Sequence, residues 1–573
     1  MKKFLMVFVV SAFLLVLVGC GEVTTTTTTT QTTSEETTTE LTNIESDTGL
    51  DKNVVGEIDI VLWSGSGQQY YDLGHQTYDA IDLPAQNDAA AYAVAKAFNE
   101  IYPNIVINGY FKTGGPDNWS QTLETYKDDE GRFPAVWASM GLYSDLEKGI
   151  VADLTRFEDD PLYEALNPSA MEMMNYYGFQ AGLPQYILPW GVYVNKSLAD
   201  TNGIEMPSYD WDIDEYTDFA SHYSLEPDSI YFGAMDTPLS FISTGTTTMY
   251  ASLASYTSGD TFINMNSGEV RDMIGYIHEW VDGTLWGRYD QEMLITPDGS
   301  GPVATYIAGT GWWDYDIFRT GGLLTFDGQP WMMGDCAETD PDWWAVCNIN
   351  DWDIYPRPAT EYQDTTIGIV LDPMAVYNYC LEGATIECTP EEELKIQIAY
   401  TFAIFWAADS RSFEARANQL FYDETSDAYS SALNDSLPIV TGAMFDDQMA
   451  YWYTPTKHIR FGATNDDGDY LMPGFQEVLR LYLEGQFWDI SDKAFPWNYS
   501  FEGSSRAILY EWLHYYLAEV NGDKTKFDTD FTSTIQSLLP TWNDLANQRL
   551  VTAFDDIKIA LQTYYGYSSS DFE

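Results

Sequence analysis

Apolar and polar residues alternate in the first strand-like segment of the chain. Apolar residues then recur at helical spacing in the segment that follows. The run Glu57 to Trp63 has the pattern of a strand, and Ser-Gly-Ser-Gly follows it. Apolar residues three or four apart between Ala91 and Ile101 predict an amphipathic helix, and Ile105 to Ile107 begins a second strand. A strand, a helix and a strand in this order predict a parallel sheet.

The same pattern continues along the chain. Pro134 to Ser139 predicts another buried strand, and Ile150 to Thr155 closes the first α/β unit. Residues Val270 to Val281 predict an amphipathic helix in a second unit. Further elements are predicted over residues 303–308 (a strand) and 509–520 (a helix packing through Leu509, Trp512, Leu513, Tyr516, Leu517 and Val520).

A helix start is predicted at Thr389. Threonine is a favoured cap, Pro390 suits the first helical position, and Glu392 stands where a capping box requires it. The helix that follows, to Ala408, is apolar on nearly all sides, so Phe402 and Trp406 are expected in the core with Phe405. The acidic stretch Asp210 to Asp214 is interpreted as a helix N-terminus rather than a calcium loop, because the required glycine and glutamate are missing.

Three stretches are predicted to cross between two lobes: Gly182 to Asn195, Ile354 to Leu371 and Leu437 to Gly442. In the first, Val192-Tyr193-Val194 favours a strand, and Pro184 and Pro189 are expected to mark breaks or edges rather than the middle of a buried ladder. We therefore predict an α/β fold of two lobes, each discontinuous in sequence. The predicted boundaries are 54–188 with 357–438 for the first lobe and 189–356 with 439–573 for the second.

The charge of the chain disfavours two classes of partner, nucleic acids and anionic lipid surfaces. The chain of 573 residues carries 26 basic and 88 acidic side chains, for a formal net charge of −62. Nucleic-acid binding requires a basic surface, and docking on an anionic lipid surface requires the same, so both are disfavoured. The charge alone identifies no ligand.

The N-terminus has the layout of an exported protein. Met1 to Lys3 is basic, an apolar run extends to Val18, and Leu-Val-Gly-Cys ends at Cys20. This tetrapeptide resembles the bacterial lipobox, which implies a signal peptide over 1–19, cleavage before Cys20 and lipidation of its thiol. An ordinary signal peptide with a chance cysteine is the alternative. Residues 20–53, rich in Thr, predict a disordered tether, so the protein is expected at the outer face of the cytoplasmic membrane, held by lipid alone.

Four further cysteines, an even number in an exported chain, indicate disulfides. The local pairs Cys336–Cys347 and Cys380–Cys388 are favoured over the two crossed arrangements. Zinc is the other alternative, although no Cys-x-x-Cys spacing or nearby histidine supports it.

The order of several short segments carries a family resemblance. They are the strand ending at Trp63, Ala97-Phe98-Asn99-Glu100-Ile101-Tyr102-Pro103-Asn104-Ile105, Phe133-Pro134-Ala135-Val136, Gly149-Ile150-Val151-Ala152-Asp153-Leu154-Thr155, Gly182-Leu183-Pro184, Val192-Tyr193-Val194-Asn195-Lys196 and Gly203-Ile204-Glu205-Met206-Pro207. With the lipobox, the chain resembles the bacterial extracellular solute-binding proteins of family 1, the lipoproteins that deliver carbohydrates to ABC importers. The inserted stretch Gln68 to Asp88 departs from the compact family pattern.

The resemblance implies a type II periplasmic-binding-protein-like fold and capture of a sugar or oligosaccharide between the lobes. It implies a monomer that needs no cofactor or metal and that delivers its ligand to ABC transporter permease subunits. No bond in the ligand is made or broken.

Aromatic content supports a sugar site, since 19 Trp, 41 Tyr and 28 Phe are available and sugar rings stack on indole and phenol faces. Most of these rings are expected in the core. Those next to turns at strand ends are the candidates, because open α/β sheets bind ligands there. In the family that the chain resembles, the turn at Trp312 presents an indole to the sugar. The predicted ligand-binding residues are Trp63, Ser64, Trp190, Tyr193, Asp236, Trp312, Trp313, Asp314 and Trp331.

Enzymatic alternatives have little support in motifs. The sequence contains no Gly-x-Ser-x-Gly, no phosphate-binding P-loop and no His-Glu-x-x-His, and its five histidines are scattered. A secreted glycoside hydrolase with a carboxylate pair stays open, because only the distance between the two carboxylates is diagnostic. An adhesive or structural lipoprotein is the third class.

Overall fold

A computed structural model describes most of the chain from residue 44 onward. The described residues are 44–113, 119–222, 232–234, 245–249, 263–279, 318–319, 321, 323–330, 351–382, 388–423, 428–491, 493–495 and 524–572. The predicted elements at 303–308 and 509–520 lie outside these residues.

Strands and helices follow one another along the described chain. The strands are β1 (Gly56–Trp63), β2 (Gln69–Tyr70), β3 (Ile105–Lys112), β4 (Val136–Ala138), β5 (Asn175–Tyr176), β6 (Phe179–Gln180), β7 (Leu183–Val194), β8 (Phe232–Ala234), β9 (Leu323–Gly328), β10 (Asp353–Tyr355), β11 (Ile367–Val376), β12 (Leu420–Asp423), β13 (Ala428–Ser431) and β14 (Phe487–Asp489). The helices are α1 (Gln86–Ile101), α2 (Trp119–Glu130), α3 (Leu142–Glu147), α4 (Pro161–Ala165), α5 (Pro168–Glu172), α6 (Lys196–Asn202), α7 (Ile213–Ser221), α8 (Gly268–Glu279), α9 (Pro390–Ala408), α10 (Ser410–Asn418), α11 (Ala443–Trp452), α12 (Pro473–Leu483) and α13 (Lys524–Tyr564).

The first α/β unit forms as predicted. Strands β1 and β3 pair in parallel over their full length, from Gly56 with Ile105 to Trp63 with Lys112, and α1 connects them. Strand β4 lies on the other side of β1, also in parallel. The carboxyl ends of all three strands therefore meet at one edge of the sheet. The segment Ile150 to Thr155, expected to close the unit, forms a single bridge between Val151 and Tyr377 and then a 3₁₀ turn.

Strand β7 belongs to two parts of one sheet. Its first eight residues pair antiparallel with β11, from Leu183 opposite Met374 to Trp190 opposite Gly368. Its last residues pair with β9 on one edge and β10 on the other, up to Val194. We call the part with β1–β4, β11 and β14 the first lobe and the part with β8, β9 and β10 the second. The predicted α/β class with two lobes is confirmed, and β7 with β11 provides the connection.

The two prolines of β7 do not break the strand, contrary to expectation. Pro189 lies opposite Ile369 inside the ladder, and Pro184 lies opposite Pro373, next to a register shift. Proline has no backbone N–H. It is therefore tolerated at a strand position where no neighbouring carbonyl would accept from that N–H. On the edge of β7 away from β11, the 436–437 segment bonds at Ile187 and β9 pairs only from Gly191 onward, so Pro189 lies between these contacts.

The third predicted crossing contains no strand but does contact the first. The Leu437 N–H donates to the Ile187 carbonyl at 2.9 Å, and Val440 forms a bridge with Leu166. The hydroxyl of Ser436 accepts from the Ile187 N–H at 2.8 Å. This segment therefore runs beside β7, and the lobe boundaries stay predictions.

Helix α9 begins at the predicted cap. The Thr389 side chain accepts from the Glu392 N–H, and the Glu392 carboxylate accepts from the Thr389 N–H at 2.7 Å. Phe402, Phe405 and Trp406 are buried as predicted. Helix α7 is likewise capped by an acidic residue, Asp212, which confirms the helix interpretation of that stretch.

The end of the predicted tether lies against the first lobe. The Ser46 hydroxyl donates to Asp160 at 2.6 Å, the Thr48 hydroxyl lies 3.1 Å from that of Thr401, and Leu50 is buried. No helix among the described residues is both long enough and apolar enough to cross a membrane.

Helix α13 contacts both lobes. Its Asn543 and Asn547 side chains accept from the backbone N–H groups of Met265 and Ile263 at 2.9 and 3.1 Å, next to α8 of the second lobe. Farther along, Phe554 packs on Phe495, and Tyr565 beyond the helix end donates to the Val151 carbonyl of the first lobe at 2.6 Å.

We predict that Gly149→Ala destabilises the protein more than Gly178→Ala. Both glycines have positive φ, 76° and 84°, so each alanine carries backbone strain of about 1–3 kcal/mol. An added Cβ at Gly149 would also lie 2.5 Å from the Tyr564 ring, whereas at Gly178 it meets nothing within 4 Å. Thermal unfolding should therefore show a larger fall in Tm for Gly149→Ala. Equal falls would mean that the contact with the Tyr564 ring costs nothing.

Candidate functional site

The carboxyl edge of the first lobe carries an accessible indole. Trp63 is the last residue of β1 and is 45% exposed, although the five residues before it are buried. Its carbonyl accepts from the Asn87 side chain, in the first turn of α1, at 2.7 Å. The Trp63 backbone is thus fixed while its ring stays accessible to a ligand.

A buried polar network lies behind Trp63. The Ser64 hydroxyl donates to the Asp88 carboxylate at 2.6 Å, and the Tyr70 hydroxyl donates to the same carboxylate at 3.1 Å. Burial raises the pKa of Asp88, and the two hydroxyl donors partly oppose that rise. The Ser64 hydroxyl is therefore engaged inside the protein, where it ties β1 to α1.

The network reaches the crossing strand. The Tyr186 hydroxyl donates to Asn87 at 3.3 Å, and Tyr186 lies on β7 opposite Asp372 of β11. Asn87 therefore links the β1 carboxyl end with β7. This places the edge of the first lobe next to the strands that lead into the second.

The sheet has one covered and one half-open face where the lobes join. Ile367, Ile369 and Leu371 of β11 are fully buried, and so are Phe487 and Asp489 of β14. Directly paired residues point to the same face of a sheet, and alternate residues point to opposite faces. On the other face Gly368 and Leu188 are also buried. Five residues of that face are half-buried, and we call them the crossing face: Trp190, Val370, Asp372, Trp488 and Ile490.

One ion pair lies at the end of the crossing face. The Lys493 ammonium contacts the Asp372 carboxylate, and the side chains are 16% and 22% exposed. The two charges neutralise each other. The rest of the crossing face is aromatic or aliphatic.

The predicted site residues separate into three groups. Trp63 and Trp190 lie at the first-lobe edge and on the crossing face. Ser64 is buried in the network, and Tyr193 is fully buried on the second-lobe part of β7, against Trp352 and Phe318. The others lie outside the described residues: Cys20, Asp236, Trp312, Trp313, Asp314, Trp331, Cys336 and Cys347.

Several residues at this site were not predicted. Asn87 and Tyr186 have no local signal, because their roles depend on the contact between α1 and β7. Trp488 lies on a three-residue strand that pairs with β11, about 120 positions earlier in the chain. A tryptophan within a short apolar run, as in Phe487-Trp488, was the only available hint.

One predicted cysteine pair is brought together. The sulfur atoms of Cys380 and Cys388 lie at disulfide distance, and their Cα atoms are 4.7 Å apart, within the usual range for a disulfide. Glu393 lies close to both sulfurs. These three side chains form the one group of potential metal ligands among the described residues. The Cys336–Cys347 pair stays a prediction.

Comparisons with known proteins bear on the fold. No family model and no curated protein sequence matches the chain. A de novo designed cysteine esterase has a similar structure, with a TM-score of 0.52, 14% identity and coverage of 88% of this chain and 100% of the esterase. At this identity the likeness shows a shared fold alone.

Two natural proteins align with lower TM-scores. A substrate-binding protein of an ABC transporter from Listeria monocytogenes, solved in complex with cycloalternan, aligns with a TM-score of 0.47 and 16% identity, over 89% of this chain and 100% of that one. A sugar transporter from Rhizobium etli in an open conformation aligns with a TM-score of 0.49 and 12% identity, over 88% of this chain and 99% of that one.

We predict that Asp88→Ala destabilises the protein more than Ser64→Ala. The Ser64→Ala change removes one buried hydrogen bond. The Asp88 carboxylate then lacks one donor, which should lower the free energy of unfolding by about 1–3 kcal/mol. Loss of Asp88 removes two buried hydrogen bonds, and the Ser64 and Tyr70 hydroxyls keep only the Ser66 hydroxyl and the Asp82 carbonyl as acceptors. Urea unfolding of both single variants and the double variant measures this. The double variant should resemble Asp88→Ala, and a strictly additive result would contradict the shared network.

Proposed function

We propose that this protein binds a sugar or oligosaccharide in the cleft between its lobes and delivers it to an ABC importer. The observation that carries the proposal is the exposed Trp63 ring at the carboxyl edge of the parallel strands, where α/β sheets bind ligands. The half-open crossing face with Trp190 lies where β7 leads into the second lobe. The family resemblance of the sequence supports the same assignment.

Binding without reaction is the second part of the proposal. Among the carboxylates described at this site, Asp88 accepts two hydroxyl hydrogen bonds in a buried position and Asp372 is paired with Lys493. These carboxylates are engaged in stabilising the protein. The ligand is therefore expected to leave the cleft unchanged, and the predicted ligand residues Asp236, Trp312, Trp313, Asp314 and Trp331 are proposed to complete the site from the second lobe.

The two-lobe architecture provides a way to capture the sugar ligand. A ligand that contacts both lobes favours the closed arrangement, because only there are all its contacts made. Strand β7 is continuous through the junction, so closure is a rotation about it. The closed form then presents both lobes to a permease.

We expect Trp63→Ala to weaken sugar binding. Removal of the ring deletes a stacking surface and should cost about 1–3 kcal/mol, since full burial of a large apolar side chain contributes about that much. Isothermal titration of residues 44–573 against neutral oligosaccharides measures the loss. The melting temperature without ligand should stay unchanged because the ring is already exposed.

Tyr470→Ala provides the matched control. Tyr470 is 48% exposed and lies next to α12, outside the crossing face. Its removal should leave the affinity unchanged. Equal affinity of the Trp63→Ala variant and the unaltered protein would contradict the site, and cleavage products recovered after titration would favour a glycoside hydrolase.

The lipid anchor is a separate proposal that rests on the sequence before residue 44. Cys20→Ser should abolish lipidation and move the protein from the membrane fraction to the soluble fraction of expressing bacteria. Labelling with a fatty-acid analogue checks the modification directly. Label retained on the Cys20→Ser variant would show that another residue carries the lipid.

A further inference from the structure

A histidine and an aspartate form a buried pair beside the third predicted crossing. His458 is fully buried, and the Asp435 side chain is 5% exposed. The His458 Nε2 atom lies 2.7 Å from an Asp435 carboxylate oxygen, and the Nδ1 atom lies 2.9 Å from the Trp452 carbonyl oxygen. Both ring nitrogens therefore have hydrogen-bond partners inside the protein.

The two partners of the ring determine how many protons the pair holds. A carbonyl oxygen only accepts, so Nδ1 must carry a hydrogen. The neutral imidazole with this hydrogen has a lone pair on Nε2, and a lone pair makes no hydrogen bond to an ionised carboxylate. The contact between Nε2 and Asp435 therefore contains a second proton, either on the ring or on the carboxyl group. The Trp452 indole stacks on the imidazole with ring centroids 4.1 Å apart, and an aromatic face favours the charged ring.

Four other titratable or charged side chains lie near the pair. They are Tyr193 of β7, Asp353 of β10, Tyr453 after α11 and Arg460 of the turn that carries the histidine. Burial raises the pKa of Tyr193 well above its usual range, with the charges of Asp435 and Asp353 as smaller causes, and burial raises the pKa of Tyr453 to about 12. Arg460 donates to the Trp352 carbonyl oxygen. Of these four groups only Asp353, whose pKa burial raises to about 7, titrates near neutrality.

The pair joins the third crossing to the second lobe. The two residues after Asp435 bond the N–H and the carbonyl of Ile187 in β7. The histidine belongs to a 3₁₀ turn over Thr456–Gly462, and Phe461 of this turn packs on Trp352 beside β10. Contact between the histidine and the aspartate therefore ties the segment that runs beside β7 to a turn that contacts the second lobe.

We infer that the proton shared by His458 and Asp435 fastens the third crossing to the second lobe, and that this fastening weakens as the pH rises. In the unfolded chain an imidazole releases its proton near pH 6.5. The folded pair retains the proton above that pH, because its hydrogen bond requires it. The stability that the pair contributes is therefore complete below about pH 6.5 and is lost as the pH rises beyond it. This proton-dependent contact requires no ligand and is independent of the proposed function.

The decisive variant is Asp435→Asn. Its amide can donate to Nε2 of a neutral His458, so the contact persists without the extra proton. Urea unfolding of the full chain in detergent compares this variant with the unaltered protein at pH 7, 8 and 9. The unfolding equilibrium constant should rise more steeply with pH in the unaltered protein, by a further factor that approaches about tenfold per pH unit for one proton. Asp353 titrates in both proteins, so the comparison cancels its contribution.

Hydrogen exchange locates the effect at the crossing. The amides of Ile187 and Leu437 bond the crossing segment to β7. Their protection factors should fall between pH 7 and pH 9 in the unaltered protein and stay constant in Asp435→Asn.

Asp72→Asn is the matched control. His75 makes the same two kinds of contact, to Asp72 at 2.6 Å and to the Pro103 carbonyl at 2.9 Å, but it is about a third exposed and lies in the first lobe. The change should leave the pH dependence of the two crossing amides as it is in the unaltered protein.

Equal pH slopes in the unaltered protein and in Asp435→Asn would overturn the inference. If Asp435→Asn does not fold, His458→Gln takes its place, because a glutamine amide donates to the Asp435 carboxylate without a titratable proton. A full pH slope retained in His458→Gln would overturn the inference as well.

Discussion

The structure depends on the hydrogen bonding of one strand to two different sets of neighbours. Strand β7 is bonded to β11 in the first lobe and to β9 and β10 in the second, with one register shift next to Pro184 along its 12 residues. A buried strand must satisfy its backbone groups along its whole length. The continuity of this ladder fixes where the lobes meet and which side chains face the cleft. Trp190 and Tyr193 are three residues apart on this strand, yet one is half-buried at the crossing and the other lies in the second-lobe core.

The polar network at the start of α1 connects that ladder to the parallel strands. The Asn87 side chain donates to the Trp63 carbonyl and accepts from the Tyr186 hydroxyl. A single amide therefore connects the end of β1 to β7 by hydrogen bonds. Asp88 beside it collects two hydroxyl donors in a buried position. A site built this way is positioned by side-chain hydrogen bonds that exist before any ligand arrives. Preorganisation of this kind lowers the cost of binding.

Local patterns in the sequence predicted much of the architecture and less of the site. The capping box at Thr389, the helix from Ala91 and the strand ending at Trp63 are encoded by neighbouring residues, and each was found. Trp63 and Trp190 could be singled out because each stands beside a turn or a proline. Trp488, Asn87 and Tyr186 could not, because their places depend on contacts across about 100 residues or more. The prediction that the prolines of β7 interrupt the strand was wrong for the same reason. Whether a strand accepts a proline depends on which segment lies along its other edge, and that segment is distant in sequence.

Helix α13 bears on the proposed closure of the lobes. It is held to the segment before α8 at Asn543 and Asn547, whereas Phe554 packs on Phe495 and Tyr565, beyond the helix end, donates to the Val151 carbonyl of the first lobe. Residues 548–553 connect these two sets of contacts through less than two helical turns. A rotation about β7 would have to bend this stretch or shift the contacts at one end. The C-terminal helix is therefore a covalent restraint on how far the two parts of the sheet can separate.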